Sequence, residues 1–224
     1  MKAYEKEMKE YTTLNSLASR GGTVLFGGTE DGRIPVGELK QAFCLDMEFY
    51  NRSVSGLSVR NAALIYAECA AGLQPDCVLL HIGAEDIGFF EHFPTDFDRG
   101  LRELIACVRG EDRPRRIAVI SLENPDNAPV VKALNKHLRY VAEAERCEFC
   151  DISSRRLWNP QATREVVSFV HDLGFMRPLK TKKPLFDIIK ILYGYTQQAA
   201  AAAPCAEKHS RPLPPMGMPE VSFV

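Results

Sequence analysis

The sequence predicts an α/β protein: a doubly wound, three-layer α/β/α domain on a parallel sheet of about five strands. Three observations carry that prediction. Short, nearly unbroken apolar runs recur along the chain, and strands apolar on both faces belong inside parallel sheets covered by helices. Segments with apolar residues at i and i+3/i+4 lie between those runs, the period of an amphipathic helix. The two types alternate, as right-handed crossovers between parallel strands require.

The elements follow in order. Residues Ala3 to Ser19 read as a polar, partly amphipathic helix that stops at Gly21-Gly22. Thr23-Val24-Leu25-Phe26 is a first strand ending in Gly27-Gly28. Val36 to Phe43 is a helix, and Met47-Glu48-Phe49-Tyr50 a second strand. From Val59 the positions Ala62, Ala63, Tyr66 and Cys69 or Ala70 form a helical stripe, with Ser58 as N-cap and Gly72 as stop. Asp76 to Gly83 is a third strand, and Asp96 to Arg109 a helix with Phe97, Leu101, Leu104, Ile105 and Val108 inward. Ile117 to Leu122, Val130 to Ala144 and Cys147 to Ile152 complete the alternation as strand, helix and strand. Leu185 to Tyr195 is a final amphipathic helix, entered through Lys180, Lys182 and Lys183 as a solvated face. The domain is expected over residues 1–196. Residues 197–224, an alanine run and a Pro-rich stretch, are expected to be a disordered tail, because they cannot bury enough apolar surface to offset ordering.

Composition narrows the function. Hydrophobic residues make up 46% and charged residues 25%, the balance of a soluble globular protein. The net charge of -1 supplies no global field toward nucleic acid or an anionic membrane, so neither is expected as a partner. No run approaches the ~18 apolar residues that cross a bilayer. The N-terminus lacks the apolar core of a secretory signal. The 7 cysteines, an odd number set mostly in apolar runs, read as reduced packing residues, and a cytoplasmic location is the expectation.

Ligands of doubly wound sheets sit beyond the carboxyl ends of the strands, where strand order reverses. That directs attention to the loops after Phe26, Tyr50 and Ile82: Gly27-Gly28-Thr29, Asn51-Arg52-Ser53-Val54-Ser55-Gly56 and Gly83-Ala84-Glu85-Asp86. In that order, with Ser168-Phe169-Val170-His171 toward the C-terminus, they resemble the four blocks of the SGNH (GDSL-like) hydrolases over roughly Thr23 to Phe175. The resemblance implies a flavodoxin-like sheet and hydrolysis of acyl or acetyl esters on a small molecule or carbohydrate, with no cofactor and no metal. It assigns Thr29 as nucleophile, the Gly56 N–H and the Glu85 position as oxyanion partners, and His171 as base.

Three of those positions depart from the family pattern. Thr29 stands for the serine, and its extra methyl restricts χ1 and crowds the approach. Glu85 stands for an asparagine whose amide donates to the oxyanion, and an ionised carboxylate only accepts. Ser168 stands for the aspartate that orients the histidine. The alternative is therefore a catalytically inactive relative that binds a ligand or partner in the same cleft. Thr29 also reads as a loop residue capping the next turn, and His171 as a histidine of the last helix. His81, inside an apolar strand, reads as a satisfied core histidine, while His92, His137 and His209 have no constellation around them. Glu30, Asp31, Glu85 and Asp86 follow strands expected to be adjacent, so they form a candidate edge for a hard cation or, alternatively, helix caps. Cys147 and Cys150 have zinc half-site spacing, but i and i+3 on a strand face opposite sides, so packing is expected. Oligomeric state is not encoded in any of these features.

Overall fold

The computed structural model describes residues 4–42, 45, 47–110, 115–124, 126–153, 189 and 192. Among them are five parallel strands: β1 (Thr23–Gly27), β2 (Phe49–Asn51), β3 (Cys77–His81), β4 (Arg116–Ile120) and β5 (Glu148–Cys150). Six α-helices accompany them: α1 (Glu5–Leu17), α2 (Val36–Ala42), α3 (Val59–Cys69), α4 (Ile87–His92), α5 (Pro94–Arg109) and α6 (Pro129–Ala144). The sheet order is β2-β1-β3-β4-β5, the flavodoxin-like order that the SGNH resemblance implied.

Alternate strand residues supply the two cores, as the strand period of two demands. Val24, Phe26, Val78, Leu80, Ile117 and Val119 point to one face and pack with α3, α5 and α6. Leu25, Leu79, Ala118 and Ile120 point to the other, with Leu39 of α2. Ile189 and Leu192, both helical and fully buried, join this second core; the rest of the expected final helix, Leu185 to Tyr195, lies outside the described residues. Cys147 packs against the first core and Cys150 against the second, so the C-x-x-C spacing spans opposite faces.

Local chemistry adjusts several boundaries. Ser58 is the N-cap of α3, but the helix ends at Cys69 rather than Gly72. Gly72 falls within a 3-10 turn over Ala71–Leu73, and the left-handed residue reversing the chain is Gln74, at φ 48°. A short helix, α4, precedes α5. Phe93 separates the two with a non-helical backbone at φ -136° and ψ 56°, and Pro94 opens α5, where its missing N–H costs nothing. His137 has a partner that sequence distance concealed: Nδ1 lies 2.9 Å from Asp98 Oδ2 on α5, with the Phe90 ring edge-on. No helix among the described residues is long and apolar enough to cross a membrane.

Candidate functional site

Strand order reverses around β1, whose neighbours are β2 and β3. Register sets Gly27 beside His81, so the loops leaving β1 and β3 start side by side. Gly27 is required there by close approach: a Cβ would lie 2.1 Å from Asp31 Oδ2 and 2.9 Å from the His81 carbonyl oxygen. Asp31 braces the loop. Its Oδ2 accepts the Gly28 N–H at 3.0 Å, and its two oxygens lie 2.8 and 3.0 Å from His81 Nδ1. Asp31 is 2% exposed and His81 4%, so this pair is buried under the loop it braces, and His81 is the satisfied core histidine expected. Burial opposes the charged imidazole, yet the adjoining Asp31 carboxylate outweighs it, with Glu123 and a Ser121 backbone bond assisting. The ring is therefore held above its usual pKa.

The second loop is tied to the first. Val54 N–H donates to the Gly27 carbonyl at 3.0 Å, and Asn51 Nδ2 donates to the Asp31 carbonyl at 2.7 Å. Beyond them Gly56 adopts φ +69°, a left-handed conformation natural to glycine. This aims its N–H at Thr29, and the bond to Thr29 Oγ1 is 2.9 Å. In the third loop Gly83, at φ +119°, leads into a 3-10 turn over Ala84–Asp86. Thr29 Oγ1 donates its proton to Glu85 Oε1 at 2.9 Å.

Thr29, Gly56 and Glu85 therefore meet at one point, with the Thr29 hydroxyl accepting on one side and donating on the other. His171, together with Ser168 and Asp172, lies outside the described residues, as do Lys180, Lys182, Lys183 and the 197–224 tail. Chemically, the cluster presents a hydroxyl, a backbone donor and an acceptor-only carboxylate in hydrogen-bond reach of one another. An acyl oxyanion formed here has the Gly56 N–H available but finds an electron-rich group at Glu85.

The four carboxylates of the expected acidic edge do not converge. Glu30 pairs with Arg33 at 2.8 Å, Asp31 faces His81, and Glu85 holds Thr29. Asp86 is 1% exposed and turns away to cap α3, accepting from Ser58 Oγ at 2.5 Å and from the Val59 N–H at 2.9 Å. Burial raises its carboxyl above the ordinary range despite those donors. Among the described residues no group of three or more His, Cys, Asp or Glu side chains is placed to hold a metal ion, because each acid finds a separate partner first. A cavity of about 400 Å³, lined by Asn124, Asn127, Lys132, Asn135, Lys136 and Arg139 among others, has no lining residue from the Thr29 cluster.

Sequence reasoning missed the Asp31–His81 brace and the Asn51 tether. Asn51 stands at the head of the second loop's own motif, a signal for its importance. Asp31 carried no signal beyond its membership of an acidic pair.

A model of the GDSL-like lipase/acylhydrolase family matches residues 18–173. No curated protein matches the chain. Among solved structures, a protein from Streptococcus pneumonia with a provisional platelet-activating-factor name is similar at TM-score 0.59 and 19% identity, covering 72% of this chain and 79% of that one. A GDSL-like lipase from Bacteroides thetaiotaomicron VPI-5482 is similar at TM-score 0.51 and 15% identity, covering 83% of this chain and 94% of that one. At these identities the likeness is one of fold. The family match includes Thr29, Gly56, Glu85 and His171 and begins after α1.

Proposed function

The chain belongs to the GDSL-like lipase/acylhydrolase family, whose chemistry is hydrolysis, and we propose that it is a divergant-site acyl-ester hydrolase whose turnover Glu85 holds down. The observation that carries this reading is the convergence of Thr29, Gly56 and Glu85 through two 2.9 Å hydrogen bonds on one hydroxyl. In the proposed reaction Thr29 Oγ1 attacks the ester carbonyl carbon while His171 takes its proton. The carbonyl electron pair moves onto oxygen, beside the Gly56 N–H. Collapse expels the alkoxide, which takes the proton from His171 and leaves an acyl-Thr29 that water hydrolyses in the same two moves. The proposed substrate is a short acyl or acetyl ester of a small molecule or carbohydrate. The proposed compartment is the cytoplasm, which the unbridged Cys69, Cys77, Cys107 and Cys147 support.

One observation favours a second reading, a non-catalytic ligand-binding cleft: the Thr29 hydroxyl is engaged on both sides, and Glu85 offers an acceptor where the chemistry wants a donor. Turnover of a short-chain aryl ester separates the two. Thr29→Ala is expected to abolish it and Thr29→Ser to raise it by relieving the crowding at χ1. Turnover unchanged in Thr29→Ala rejects the nucleophile. No turnover in any variant, Glu85→Asn included, selects the binding cleft.

A further inference from the structure

We propose that α1, which precedes the family-matched residues, is the positioning element of the Gly56 loop, acting through Tyr4, Glu7 and Tyr11. These side chains recur at i, i+3 and i+7, and each is half-buried on the helix face turned to the loop. Tyr11 Oη–H donates to the Ser53 carbonyl at 2.5 Å. Glu7 accepts from the Ser55 N–H at 3.0 Å and from Ser55 Oγ at 2.7 Å. Tyr4 Oη–H donates to the Gly56 carbonyl at 2.9 Å.

The pattern is specific to one peptide plane. The Gly56 N–H belongs to the Ser55–Gly56 peptide unit. Glu7 holds the unit before it through the Ser55 N–H, and Tyr4 holds the unit after it through the Gly56 carbonyl. A glycine at positive φ with open space around its α-carbon is the residue best able to let its peptide flip, and a flip would carry the N–H away from Thr29. Holding both flanking units opposes that motion.

The helix is otherwise held only at the edge of the first core. None of its residues is fully buried; Met8, with Tyr4 and Tyr11, rests against the first core, and its other ties are polar: Asn15 Nδ2 donates to the Cys69 carbonyl at 2.7 Å, and Arg52 Nε to Asn15 Oδ1 at 2.9 Å. Arg52 in turn lies over the Tyr11 ring, 5.2 Å from its centroid. Burial, with the Glu7 carboxylate beside it, pushes the Tyr11 hydroxyl up to about 12, so it remains a donor at physiological pH. Tyr4, Glu7 and Tyr11 are positioning residues, acting on the reaction only through Gly56.

The role of α1 in catalysis rests on the hydrolase reading, so the deciding measurement is one that needs no turnover: amide hydrogen exchange of Gly56, by NMR on the full chain. In Tyr4→Phe/Glu7→Ala the Gly56 amide is expected to exchange about tenfold or more faster, while the Leu79 amide in the central strand keeps its rate. Glu7→Gln, which keeps an acceptor for Ser55, is expected to restore most of the protection. Unchanged Gly56 exchange in the double variant overturns the proposal. Equal acceleration at Gly56 and Leu79 also overturns it, since α1 would then support the whole domain; the single Tyr4→Phe variant applies the same comparison with one hydroxyl removed. In a Glu85→Asn background the double variant is expected to lower kcat with KM unchanged. Absence of all turnover in that background counts against the hydrolase reading and leaves the exchange result standing.

Discussion

Glu85→Asn tests the electrostatics of the cleft most directly. Glu85 Oε1 and the Gly56 nitrogen each lie 2.9 Å from Thr29 Oγ1. An oxyanion on a carbon bonded to Oγ1 therefore forms within about 5 Å of the carboxylate. At that separation, with an effective dielectric near 40 for a half-open cleft, the repulsion is about 1–2 kcal/mol. Its removal alone speeds acyl transfer by roughly 5–30-fold. An asparagine amide also supplies a donor, and loss of one such donor costs ~10²–10³ in rate in an enclosed site. Taking about tenfold for this more exposed one, the combined gain is on the order of 100-fold in kcat/KM. The assay is the initial rate of p-nitrophenyl acetate hydrolysis at neutral pH, with circular dichroism to show that the variant is folded, and the gain must disappear in Thr29→Ala/Glu85→Asn. No gain in a folded variant refutes the reasoning. A loss refutes it more sharply, because the carboxylate that accepts the Thr29 proton would then be the base rather than the obstacle.

Three further predictions concern the scaffold. Gly27→Ala forces a methyl into Asp31 and the His81 backbone, so chemical denaturation is expected to show a loss of about 3 kcal/mol or more, and a near-neutral result would mean that the loop shifts freely. Asp86→Ala removes the acceptor of Ser58 Oγ and the Val59 N–H, and is expected to lower stability by about 1–3 kcal/mol, read as a drop in Tm; an unchanged Tm would show that water replaces the cap. The His81–Asp31 pair predicts a pH dependence of fixed sign. Because the folded imidazole is held above its unfolded value, the proton stabilises the fold fully below about pH 6.5, and that stability is lost as pH rises through the folded pKa. The stability gap between the wild-type chain and Asp31→Asn is thus expected to narrow from mildly acidic to alkaline pH, and a gap that widens contradicts the assignment.

The sequence by itself determined the layered parallel sheet, since Val24, Leu25 and Phe26, or Val78, Leu79 and Leu80, are apolar at successive positions and successive strand residues face opposite sides. It also determined which loops matter, because crossover connections leave every parallel strand's carboxyl end at one edge, and Thr29, Gly56 and Glu85 each follow a strand there. Only the tertiary structure decided what those side chains touch. Glu85 and Asp86 are adjacent in the chain, yet the 3-10 turn sends one to the Thr29 hydroxyl and the other to the start of α3. Asp31 turns under its loop to His81, 50 residues away, and so leaves the acidic edge without a common centre. The attachment of α1 to residues 53–56 was equally hidden, because Tyr4, Glu7 and Tyr11 form a helical stripe whose partners are backbone groups, and backbone groups have no signature in a sequence. Periodicity records which side of an element is buried; which partner a polar atom finds depends on distances that exist only after the chain has closed upon itself.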